Sequence, residues 1–339
     1  MLRTCRKLAG IGMAVGMAGL AVGCGRKAPD SQAPTSQPTT RIAFAYFGPD
    51  VAADYAMTGF LEGLAQAGYV EGRNLEVTRK HAAGEIANLP MIMQTLDNQG
   101  YDLIVPMTTP GVGAACQAVR QTKMVFFYTY DPLGAGAGRS LADHLPLATG
   151  VASFPPIADT MEVIRRAVPD LKVLGTVYNA SEANSVKAVR LAGDVLKSAG
   201  IQLEEVTVTS TSEVMQATLA LLGRQPQAVW ATGDNTVLQA IEGVIKPTAD
   251  ARVPLFLNDP EFVERGALAG VGIEWRDSGL AAARLAVRVL RGEDPAGIPI
   301  EEVARKRVVV NQAVAAALGV SLPPDLQPEA EAPKAGTPE

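Results

Sequence analysis

The sequence predicts an α/β protein with two doubly wound, mostly parallel sheets, on three observations. From Arg41 onward short apolar runs alternate with amphipathic stretches, and no tandem repeat of fixed period appears. Strands that are apolar throughout and separated by helices belong to parallel sheets covered on both faces. The runs number about ten, which suits two sheets better than one.

The elements follow in order. "RIAFAYF" (41–47) reads as a strand, and "DYAMTGFLEGLAQAG" places Met57, Phe60, Leu61 and Leu64 on one helical face with Gly68 as the left-handed stop. A strand over 74–80 precedes a helix near 88–99. "DLIVPM" (102–107), a helix from Pro110 and "MVFFYTY" (124–130) continue the alternation. A second series runs through "KVLGTVYN" (172–179), a helix over 182–199, "QLEEVTV" (202–208), another helix, "QAVWAT" (227–232), a further helix and "VPLFLN" (253–258). "WRDSGLAAARLAVRVLRGED" (275–294) is a long amphipathic helix. "KRVVVNQAVAAALG" (306–319) is a strand and a helix, with Asn311 as N-cap and Gly319 as stop. The chain is expected to cross back at the end, giving one lobe over 41–152 plus 277–323 and a second over 153–276.

The ends have a different character. Arg3, Arg6 and Lys7 precede an apolar run, Leu8 to Val22, that is shorter than the roughly 20 residues a spanning helix needs. Ala21-Val22-Gly23 then leads into Cys24, which resembles a bacterial lipobox and makes Cys24 the expected lipid site after removal of 1–23. Residues 24–40, rich in Pro, Ser, Thr and Gln, read as a flexible tether, and 324–339 as a disordered tail. An exported, membrane-anchored lipoprotein facing the periplasm or cell exterior is the expectation.

Composition narrows the function. Removal of 1–23 takes three of the 30 Lys and Arg and none of the 35 acids, leaving 27 against 35 and a net charge of −8. No basic cluster remains, so nucleic acid is not an expected partner. Only Cys116 is left as a free thiol, and the chain has two histidines, so neither a zinc site nor a Ser/His/Asp triad has material. The chain is expected to be no enzyme and to need no cofactor or metal. "GAGAGRS" (134–140) lacks the Gly-Lys-Ser/Thr ending of a phosphate loop and reads as a rim loop.

Ligands of open parallel sheets meet the loops beyond the carboxyl ends of the strands. Those loops are "YFGPD", "TTPGVG", "TYDPLGAG", "ASEANS" and "GDNT". Each also reads as ordinary helix capping; their shared position at one end of two sheets points to a ligand. The chemistry fits a zwitterion. Thr108, Thr109 and a helix N-terminus seat a carboxylate, Asp234 balances an ammonium, and Asn184 and Ser185 give directional hydrogen bonds. Tyr46, Phe47, Tyr128 and Tyr130 are available to stack on a side group.

"GFLEGLAQAGYVEGRNLEV", "DLIVPMTTPGVGAA", "DPLGAG", "VYNASEANSV", "TGDNTV" and "VVVNQAVAAALGV" resemble, in this order, the bacterial ABC-importer substrate-binding proteins that include tryptophan- and tyrosine-binding lipoproteins. The resemblance spans about Arg41 to Pro323. It implies a type I periplasmic-binding-protein fold, two Rossmann-like lobes joined by a three-strand hinge. It also implies a small amino-acid-like ligand and a membrane permease as partners. By position it makes Thr108 and Thr109 first-lobe contacts, places Asp131 in the Asp-Pro turn, and makes Ser181, Asn184, Ser185 and Asp234 second-lobe contacts beside Asn235. Where relatives tend to carry a His-Pro-x-Leu-Asp-like stretch, this chain has "YFGPDVAADYAMTGF", which leaves the ligand's side group open. A sensor subunit signalling to a membrane receptor kinase is the alternative to an importer component.

Overall fold

Uniformly apolar strands settle in the sheet interiors and polar ones at the edges. The computed structural model describes residues 39–303, 305–322 and 326; the expected signal peptide, Cys24 and nearly all of the tether and tail lie outside them. The first sheet holds β1 (Thr40–Tyr46), β2 (Leu75–His81), β3 (Leu103–Pro106), β4 (Met124–Phe126), β5 (Ala148–Ala152) and β11 (Glu301–Glu302). Its order is β11-β5-β4-β3-β1-β2, all parallel. The second holds β6 (Val173–Asn179), β7 (Gln202–Val208), β8 (Ala228–Ala231), β9 (Leu255–Leu257), β10 (Ala269–Ile273) and β12 (Lys306–Val310), in the order β12-β10-β9-β8-β6-β7. Only the β10–β12 pair is antiparallel. Edge strands β2 and β7 are largely exposed, whereas β3, β4, β8 and β9 are buried along their whole length.

Helices cover both sheets. Those of the first series are α1 (Val51–Gln66), α2 (Leu89–Asp97) and α3 (Thr109–Ala118). The second series comprises α4 (Ile157–Ala167), α5 (Ala183–Ser198), α6 (Val214–Leu222), α7 (Asn235–Gln239) and α8 (Glu242–Asp250). After β10 comes α9 (Trp275–Leu290), and α10 (Gln312–Leu318) follows β12. The tightest helix pair is α1 with α9, and glycine makes it so. A Cβ on Gly59 would run into the Arg276 carbonyl, and one on Gly279 into the Ala56 carbonyl and the Phe60 amide. Beneath them Phe60 stacks on Phe127 at 5.0 Å and meets Phe44 edge-on at 5.4 Å.

The chain passes between the sheets three times, at 153–156, at 274 and at 303–305. Backbone bonds tie these passages, Val303 N–H to Ala152 O at 2.9 Å and Glu274 N–H to Arg305 O at 2.9 Å. The Ser153 and Ser278 hydroxyls share a 2.9 Å bond beside them. A three-segment hinge between two α/β halves results.

Three features differ from the sequence expectation. Residues 306–319 do not complete the first lobe: β12 pairs with β10, and Val310 and Ala315 are buried in the second sheet's core. The strand expected over 124–130 stops at Phe126, and Tyr128 leaves it with φ 52°. Strands β5 and β10 and helix α4 were not anticipated. "ATGVA" and "AGVGI" are short and rich in Gly and Ala, so they lack the bulk that marks a strand, yet they bury every residue.

Candidate functional site

The first sheet's contribution starts where β3 and β4 end. Thr108 has φ 67° and Tyr128 φ 52°, both left-handed for non-glycine residues, and the Thr108 N–H donates to the Tyr128 carbonyl at 2.9 Å. Backbone held this way costs free energy and is commonest at functional sites. The Thr108 side chain caps α3 by accepting from Gly111 N–H at 3.2 Å. The Thr109 hydroxyl bonds Thr129 Oγ1 at 3.1 Å and accepts the Asp131 N–H at 3.3 Å, so the Asp-Pro turn is anchored on it. Tyr130 stacks parallel to Trp275 at 5.6 Å, and Tyr128 meets the same indole edge-on at 4.4 Å.

The second sheet supplies carboxylates. Asp234 is fully buried and caps α7 through Val237 N–H at 2.9 Å, while its other oxygen accepts Asn179 N–H at 2.7 Å and the Ser185 hydroxyl at 2.6 Å. Burial, then the neighbouring Glu182, pushes its carboxyl well above the usual range. Glu182, also buried, accepts from the backbone N–H of Asn235 and of Thr236 at 3.0 and 2.9 Å, and from both side chains. The start of α7 is therefore occupied by the protein's own carboxylates. Asn184 donates through Nδ2 to the Gly233 carbonyl at 3.3 Å, and its buried Oδ1 has no partner among the described residues. Asp259, just past β9, accepts the Tyr130 hydroxyl across the lobes at 3.3 Å. Burial, then Glu261 and Asp50, raises its carboxyl well above the ordinary value. Gly233, at φ +63°, has to lack a side chain because a Cβ would collide with the Tyr130 hydroxyl and crowd Asp259.

These groups enclose two spaces. An inner cavity of about 20 Å³ is lined by Thr108, Thr109, Tyr128, Tyr130, Asn184, Gly233, Asn235, Leu238, Asp259 and Trp275. An outer cleft of about 260 Å³ shares Thr109 and adds Ser181, Glu182 and, from the first half, apolar Ile86, Pro90, Pro110, Ala114 and Ala135. Of the residues singled out in the sequence, Thr108, Thr109, Tyr128, Tyr130, Asn184 and Asn235 line the inner cavity, and Thr109 and Ser181 line the outer cleft. Ser181 also bonds Asn179 through its hydroxyl at 2.7 Å. Ser185 and Asp234 stand behind the wall as supports, and Asp131 pairs with Lys187 of the other half at 3.1 Å. Tyr46 is not brought to either space; it packs in the core at 5.7 Å from His81. Asp259 and Trp275 were missed. The strand-end rule applies to "VPLFLNDP" as much as to the other strands, so Asp259 was within reach. Trp275 follows β10, a strand that the sequence hides.

Comparisons with known proteins agree with this geometry. A curated tyrosine-binding protein of Clostridioides difficile (strain R20291) is 27% identical over 259 residues, 76% of this chain and 75% of that one. An ABC domain from Streptococcus pneumonia in complex with L-Trp superposes with a TM-score of 0.81 at 26% identity, covering 85% of this chain and 97% of that one. A ligand-free, open substrate-binding protein with adhesive properties from Clostridium difficile covers the same shares at 25% identity, but with a TM-score of only 0.63. At similar identity the fit is thus better to the L-Trp complex than to the open, ligand-free structure. The model of the ABC transporter substrate binding protein family matches residues 42–334. Two hinged halves closing on a polar cavity, with that match over most of the sequence, make this chain a member of the ABC transporter substrate-binding protein family.

Proposed function

We propose that the chain is the lipid-anchored solute-binding component of an ABC importer, tethered through Cys24 outside the cytoplasm. It captures a small amino-acid-like ligand between its halves and delivers it to a membrane permease. The observation that carries this reading is the convergence of both halves on one buried cavity, with Tyr130 of the first reaching Asp259 of the second at 3.3 Å. Closure adds contacts that exist only when both halves meet, so a ligand shifts the population toward the closed form. No bond is made or broken. The names of the tyrosine-binding relative and of the L-Trp complex make aromatic amino acids the first candidates.

The test uses mature protein extracted from membranes. Its mass is expected to show an acyl group on Cys24. Calorimetry is expected to show saturable, one-to-one binding of L-tryptophan or L-tyrosine. A mature chain without the acyl mass removes the anchor. A chain that ignores both amino acids removes the aromatic ligand.

A further inference from the structure

Carboxylates of both halves gather where α1 packs on the short helical turn Pro260–Arg265 of the second half. A cavity of about 410 Å³ lies there, lined by Pro49, Asp50 and Val51 from the first half and by Gln239, Glu261 and Glu264 from the second. The Glu261 side chain is only 1% exposed. Arg307 of β12 holds one of its oxygens at 3.0 Å and is shared with Glu274 at 3.8 Å. The other oxygen, Oε2, is buried with no partner among the described residues. Asp50 spends a single oxygen on both the Ala53 N–H and the Tyr128 hydroxyl. Asp54 on α1 adds negative charge beside Asp50, and Asp259 feels both Glu261 and Asp50. Arg265, the one basic side chain lining this cavity among the described residues, is held by Glu242 at 2.7 Å. Joining the halves therefore brings like charges together and takes water from an oxygen that has no other donor.

Resting on the reading that the halves part and meet, we propose that Glu261 and Asp50 form a proton-responsive latch between them. Protonation neutralises the pair and favours the joined arrangement, and ionisation weakens it. Burial, against the pull of Arg307, lifts the Glu261 carboxyl to about 7. Burial likewise lifts the Asp50 carboxyl to about 6. When the halves part, the cavity opens to water and both carboxyls return toward the ordinary range, near 4. A group whose value is higher in the joined arrangement takes up protons on joining. The joined form therefore gains as pH falls through about 7 and loses as pH rises through it. Capture is tightest in mildly acidic surroundings, by a device that touches no part of the solute.

The chain's own tryptophans report the motion. Trp230 is enclosed in the second sheet's core, whereas Trp275 lines the inner cavity where the halves meet. The experiment follows quenching of tryptophan fluorescence lifetimes by acrylamide, which is uncharged, on the full chain without ligand. From pH 8 to pH 5.5 the joined form is expected to gain about tenfold over the parted one, read as quenching lower by about twofold or more. Asp50→Asn and Glu261→Gln are each expected to lower quenching at pH 8, and together to abolish its pH dependence. The double variant also separates these carboxyls from the chain's two histidines. The wild-type series requires no variant to fold. Equal quenching at both pH values, or a pH dependence that survives in the double variant, overturns the latch. L-tyrosine, added as a separate arm, tests capture by itself. If it lowers quenching while pH does not, capture stands and the latch falls. If pH lowers quenching while L-tyrosine does not, the latch stands and that ligand falls.

Discussion

Asp50 and Asp234 do similar work at the start of a helix in different surroundings. Both accept a backbone N–H three residues on, Asp50 from Ala53 at 2.7 Å and Asp234 from Val237 at 2.9 Å. Asp234 is compensated by two further donors, whereas Asp50 has one, the Tyr128 hydroxyl at 2.9 Å on the same oxygen. Burial accordingly lifts the Asp50 carboxyl to about 6, against the pull of those bonds. A carboxyl with a raised folded value holds its proton more tightly in the native state, so its contribution is intact below the unfolded value and is lost as pH rises. Between pH 4 and pH 7 the wild type is expected to lose about 2–3 kcal/mol through this group. Asp50→Asn keeps an acceptor for the cap and removes the titration. Urea unfolding at each pH is expected to show the variant gaining on the wild type across that interval; parallel curves would assign the loss elsewhere.

At the scale of elements, the α1–α9 pair shows how small residues decide packing. Gly59 and Gly279 let two backbones approach until only hydrogen fits between them. The pairing ties a helix near the start of the first half to one that follows the second half's last parallel strand, which fixes the hinge side of the molecule. Gly279→Val has no slack to use, because the atoms it meets are backbone. It is expected to cost about 1–3 kcal/mol, the range for overpacking, read as a lower urea midpoint with an unchanged slope. An unchanged midpoint would mean that α9 slides without penalty.

For the whole molecule, closure rests on few direct links across the cleft. Lys187 of α5 pairs with Asp131 at 3.1 Å and lies 4.6 Å from the centre of the Phe154 ring at the hinge. Gln239 reaches the Pro49 carbonyl at 3.5 Å on the far side. The ion pair is partly solvated, so its worth is that of a surface bridge, about 0.2–1 kcal/mol. Lys187→Ala is expected to speed release of a bound amino acid by roughly two- to fivefold with little change in association rate or in unfolding midpoint. Stopped-flow release at the wild-type rate would show that the cavity alone holds the halves shut.

Much of this was legible in the sequence because it is local. Apolar runs alternating with amphipathic helices announce parallel sheets, Asp234 and Asn311 announce helix starts, and Thr108 and Thr109 sit at the strand end that opens on the cavity. Local periodicity cannot say which sheet a late strand joins, so β12 was assigned to the wrong half. Its place depends on a hinge crossing hundreds of residues after the chain begins. Nor can it separate a carboxylate that lines the cavity from one consumed by its own neighbours. Asp234 and Asp259 look alike as residues after a strand. Only the tertiary structure adds Asn179 and Ser185 to the local Val237 cap of Asp234 and leaves Asp259 lining a cavity, because hydrogen-bond partners from distant segments arrive by folding and not by sequence spacing.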